Sequence, residues 1–133
     1  MDSAKLNKIL DNHKLWLETN GEEGARANLS CADLRYADLR SADLRCANLS
    51  SADLSSANLD YSAFPLWCGG LDVHIDDRQA TQLLYHLVKN VQFSKNTSKE
   101  MKDICKLKTI VRKANEFHRV DECGEIINFK EDN

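Results

Sequence analysis

Cysteine and histidine are the side chains here most able to do chemistry, and their spacing limits what that chemistry is. The histidines are His13, His74, His86 and His118; the cysteines are Cys31, Cys46, Cys68, Cys105 and Cys123. The best catalytic candidate is Cys68, a thiol beside Trp67, with His74 as a possible base. No cysteine sits in a known nucleophile context, and no glycine-rich loop could cradle phosphate. The chain is therefore expected to have no catalytic residues, with Trp67 and Cys68 plugging an apolar end, since buried cysteine usually acts as a small hydrophobe. A four-ligand zinc site could draw on Cys68, His74, His118 and Cys123. Neither a C-x-x-C nor an H-x-x-x-H pair anchors it. The expectation is no metal and no cofactor, with a packed tail that buries Phe117 and leaves His118 partly exposed. An odd number of irregularly spaced cysteines fits reduced thiols better than a disulfide framework.

Charged residues carry more information. Asp33 and Arg35, Asp38 and Arg40, and Asp43 and Arg45 recur every five residues with the acid two positions before the base. Each pair is within salt-bridge reach, so this surface is zwitterionic and is the first candidate for partner binding. A second candidate is basic. Lys99, Lys102, Lys106 and Lys113 fall within an arc of roughly 60° if residues 98–117 form one helix. Such a stripe could meet nucleic acid, though no aromatic residues interleave to stack bases. The bland alternative is a solvated lysine face. The net charge of −3 and a pI near 5.8 exclude a strongly basic nucleic-acid binder.

What must position these charges is a repeat. From Ala27 to Leu59 the chain reads Ala, then Asp or Asn, then Leu, then two variable residues, seven times over. A degenerate eighth unit carries Ser62, Ala63 and Phe64 in the fixed places. A period of five fits neither helix nor plain strand, so it describes a coil that turns a corner every five residues. The leucines form core layers, the alanines share their face, and the remaining positions meet solvent. Four sides close a coil of about twenty residues, which stacks Leu29 under Leu49, Leu34 under Leu54, Leu39 under Leu59 and Leu44 under Phe64. Two coils bury too little apolar surface to stand alone, so the flanking segments must help stabilise them.

An amphipathic helix is predicted over residues 4–19 from Leu6, Ile9, Leu10, His13, Trp16 and Leu17, stopped by Asn20-Gly21, and serves to cap the coil. Beyond Pro65 and Gly69-Gly70, two helices are predicted. One spans residues 77–91 with a core stripe of Ala80, Leu83, Leu84, Leu87, Val88 and Val91. The other spans residues 98–117 with Ile104, Leu107, Ile110, Val111 and Ala114. The expected N-caps are Asp76 and Ser98. The expected division is a capping helix at 1–24, the repeat coil at 25–68 and a helical hairpin at 69–133.

The repeat resembles the pentapeptide-repeat family. The runs PLWCGGLDVHID and FHRVDECGEI resemble small pentapeptide-repeat proteins of bacteriophages and prophages. This resemblance implies a mainly β solenoid: a short right-handed quadrilateral β-helix of about two coils. It further implies a non-catalytic scaffold that binds a host protein, such as a restriction, CRISPR or topoisomerase component. Family members that protect DNA gyrase are acidic, DNA-shaped rods. The short rod and three arginines of this chain depart from that pattern, so duplex mimicry by one monomer is not expected. Direct nucleic-acid binding through the lysine stripe is the alternative. A homodimer through the C-terminal end is expected, because Phe64, Leu66, Trp67 and Leu71 leave apolar surface where the coil stops. The absence of a long apolar run and of a signal-peptide pattern points to a cytoplasmic protein.

Overall fold

The computed structural model describes residues 1–127. Its contacts divide into two units, one of Met1–Asp76 and a second beginning at Asp77. No helix among the described residues is long and apolar enough to cross a membrane.

The first unit begins with helix α1, Ser3–Glu18, whose N-cap Asp2 accepts a hydrogen bond from the Ala4 N–H. Gly24, at φ +74°, then lets the chain double back along the helix, where a side-chain carbon would sit 2.3 Å from the Asn12 carbonyl oxygen. Ala25 N–H bonds to that same carbonyl at 3.1 Å.

The repeat follows as a coil in which the chain regains register every twenty residues. Parallel bridges join Asn28 to Asn48, Asp33 to Asp53, Asp38 to Asn58 and Asp43 to Ala63. Each side makes reciprocal bonds: Leu34 N–H donates to Asp53 O at 2.9 Å and Asp53 N–H to Ala32 O at 2.9 Å. Each corner is a tight turn closed by bonds such as Ala32 N–H to Leu29 O. Its third residue has positive φ, at Cys31, Tyr36, Ser41, Cys46, Ser51, Ser56 and Tyr61, with values from 56° to 62°. The Asp or Asn before each leucine builds the corner. Its Oδ1 accepts the backbone N–H two residues on, as from Ser30 to Asn28 and from Arg35 to Asp33.

This geometry corrects the expected class. The mainly β solenoid, a right-handed quadrilateral β-helix, is not what the chain forms: the described residues contain no β-strand and no sheet, only isolated bridges. The regular elements are helices. The physical reason lies in the corners, since a left-handed residue every five positions ends each extended side before a ladder can lengthen.

Inside the coil Leu29, Leu34, Leu39, Leu44, Leu49, Leu54 and Leu59 are buried, together with Ala47, Ala52 and Ala57. Leu6 joins this cluster from α1, with Ile9 and Leu10 packed beside it. His13 is wholly buried and ties α1 to the coil at two points. Its Nδ1 accepts the Ala27 N–H at 3.1 Å, so Nε2 carries the proton and donates to Arg45 O at 2.8 Å. Residues 67–76 lay a partial layer over the second coil, where Leu49 N–H reaches Gly69 O and Leu54 N–H reaches His74 O.

The second unit starts with α2, Asp77–Phe93, which runs slightly past the predicted end. The predicted second helix is not continuous. It divides into α3, Lys99–Cys105, and α4, Lys108–Ala114, with a short α5 at Val120–Cys123. Leu107 is extended at the break, and α3 and α4 each pack on α2. The core stripe also shifts. Tyr85, Val88 and Val91 are buried with Cys105, Ala114, Phe117 and Ile126, whereas Leu83, Leu87, Ile104 and Leu107 are exposed. The reason is aromatic: Tyr85 stacks on Phe117 at 4.7 Å and turns that face of α2 inward.

Candidate protein-binding surface

The corner geometry sets the charged ladder. Each aspartate already accepts a backbone N–H, and the arginine that supplies it folds its guanidinium back onto the same carboxylate. Arg35 Nε and Nη2 donate to Asp33 at 2.9 and 2.7 Å. Arg40 does the same to Asp38 at 2.9 and 2.8 Å, and Arg45 to Asp43 at 2.9 and 2.6 Å. Three successive sides thus carry one repeated fork. Arg35 also lies 4.0 Å from Asp53 in the next layer.

These bonds shift the titrations. The Arg35 side chain, then its backbone N–H, holds the Asp33 carboxyl well below the usual range. The Arg40 side chain and backbone lower Asp38 in the same way. Asp43 is lowered first by the Arg45 side chain, against some desolvation. All three arginines are raised by their partner carboxylates. The pairs are solvent-exposed, so they stabilise little and pattern the surface more than they hold it together.

Where the coil ends, a second surface forms. Trp67 Nε1 donates to Ala47 O at 2.9 Å. Gly69 packs so closely on the indole that a side-chain carbon there would lie 2.2 Å from Trp67 Cζ2. The Arg26 guanidinium sits over the ring, 5.2 Å from its centroid. With Trp16, Arg45, Cys46, Phe64 and Leu66 these residues line an open groove. Trp67 and Cys68 do not form the expected apolar plug, since both are exposed. The backbone at Gly69 does the covering instead. Arg26 was missed, because nothing in its neighbourhood in sequence marks it; only the twenty-residue register brings the first coil beside Trp67.

The remaining candidates fall in different units. Cys68 and His74 are both exposed, and His74 is held through its backbone to Ala52 and Leu54. His118 and Cys123 belong to the second unit. Among the described residues, no group of three or more His, Cys, Asp or Glu is placed to hold a metal ion. The lysine arc does not survive the break between α3 and α4. Lys99 and Lys102 lie on α3, Lys106 is its C-cap, and Lys113 lies on α4. Lys99 is paired with Asp103 at 2.6 Å, and Lys113 with Asp77 and Glu116 at 2.7 Å each.

Residues 25–60 match a family model described as pentapeptide repeats, in eight copies. No curated protein and no solved structure matches the chain.

Proposed function

We propose, from the premise that residues 25–60 are repeats of the pentapeptide-repeat family, that this chain is a non-catalytic scaffold that binds another protein. One observation carries the reading: the Asp–Arg fork is reproduced on three successive sides by backbone-anchored corners. Such a surface offers charges at fixed spacing with little side-chain freedom left to lose on association. The resemblance of the flanking segments to phage and prophage proteins supports a partner among host enzymes that process nucleic acid or defend against it. Binding to nucleic acid through Lys99, Lys102, Lys106 and Lys113 is the weaker reading, since these lysines do not share one helix: Lys99 and Lys102 lie on α3, Lys106 caps it and Lys113 lies on α4.

The test is affinity capture from bacterial lysate with mass spectrometry, comparing the native chain with the triple variant Arg35→Glu, Arg40→Glu, Arg45→Glu. A protein retained by the native chain and lost by the variant, with nuclease treatment making no difference, supports the reading. Capture that disappears with nuclease overturns it in favour of nucleic acid.

A further inference from the structure

We infer that the groove around Trp67 is a docking site for an acidic peptide segment with an apolar anchor, presented by another protein. The inference rests on the protein-binding reading and names the surface and the chemistry of its occupant.

Three observations carry it. First, the groove is built rather than incidental. Trp67 is fixed by its bond to Ala47 O, by the close approach of Gly69 and by Arg26 over its ring. On another wall, Trp16 stacks on the doubly bonded His13 at 5.9 Å. Fixed aromatic walls with few rotamers are what interface anchors require. Second, the apolar surface is open. Leu66 is 96 % exposed, and Trp67 keeps 41 % of its surface in solvent despite these bonds. Third, the charge is of one sign. The ionisable side chains of the lining other than Cys46 are Arg26 and Arg45, with no carboxylate among the lining residues. Arg45 is satisfied by Asp43, whereas Arg26 forms no ion pair among the described residues. A carboxylate arriving beside an apolar side chain meets both needs of the site.

Other occupants fit less well. A second copy seated groove to groove would bring Arg26 and Arg45 from each side and no carboxylate among the lining residues to meet them. A nucleic-acid base needs a free aromatic face, and Arg26 covers one face of Trp67.

The experiment uses the full chain and a fluorescein-labelled peptide, Asp-Glu-Phe-Leu-Glu-Asp, followed by fluorescence anisotropy. The peptide is expected to bind, and its counterpart with serine in place of Phe and Leu is not. Leu66→Ser and Arg26→Glu are each expected to weaken binding by about tenfold or more, the scale of an interface anchor. Leu66→Ser removes a side chain with almost no intramolecular contact, so its melting curve is expected to be unchanged. The proposal is overturned if the native chain ignores the peptide, if Leu66→Ser binds as well as native, or if oligothymidine displaces the peptide. Light scattering that shows a dimer dissolved by Leu66→Ser would assign the groove to a second copy instead. A captured partner that Arg26→Glu and Leu66→Ser both retain would sink this site while leaving the protein-binding reading intact.

Discussion

At the scale of single residues, Asp33, Asp38 and Asp43 each do two tasks. Each accepts the backbone N–H that turns the corner, and each holds an arginine fork. A carboxyl group whose folded pKa lies below its unfolded value stabilises the fold above that value, and the contribution disappears as pH falls through the folded one. For Asp33, Asp38 and Asp43, all lowered, a modest loss of stability is expected below about pH 4, where unfolded aspartate titrates. Carboxyl-carbon NMR titration is expected to show all three ionised into the acid range. Arg40→Ala is expected to raise Asp38 toward, but not fully to, the ordinary value, because the backbone donor persists. His13 gives a second expectation. His13→Phe keeps the ring but leaves the Ala27 N–H and the Arg45 carbonyl without their partner, a loss of about 1–3 kcal/mol for an unsatisfied buried group, measurable by urea denaturation. The Asp–Arg pairing was legible from spacing alone. The corner bond and the two-sided role of His13 were not, since one depends on backbone dihedrals and the other on residues 14 and 32 positions away.

At the scale of elements, the five-residue period placed every inward leucine correctly, because steric identity at each corner leaves one face for the core. Leu44→Ala or Leu49→Ala is expected to cost about 2–5 kcal/mol in denaturant melts, since both are fully buried. Arg40→Ala is expected to leave the curve in place. The helices were less legible. Leu83 and Leu87 match the 3.6 period as well as Val88 and Val91 do, and only the stacking of Tyr85 on Phe117 selects the face. Val88→Ala is accordingly expected to destabilise more than Leu87→Ala, the reverse of what side-chain size suggests, as chemical denaturation of the two variants would show. The break before Lys108 has no glycine or proline to announce it. It is a packing solution, in which two short helices lie on α2 where one straight helix would leave it.

At the scale of the whole molecule, 18 basic and 21 acidic side chains nearly cancel, so the proposed association is expected to rely on local complementarity rather than long-range steering. Partner affinity is expected to fall with salt on a logarithmic slope of only about one to two, against the several expected when a polycation releases counterions from nucleic acid. A titration across salt concentrations reads this directly. The corners have a further consequence for the protein at high concentration. Fibril-forming segments need about six or seven consecutive extended residues to zip against their copies, and the left-handed residues at Cys31, Tyr36, Ser41, Cys46, Ser51, Ser56 and Tyr61 interrupt the chain before such a run can form. A stack of hydrogen-bonded layers is usually an invitation to endless growth. Here the folded coil carries its own interruption at every fifth residue, and concentrated native protein should leave thioflavin fluorescence flat.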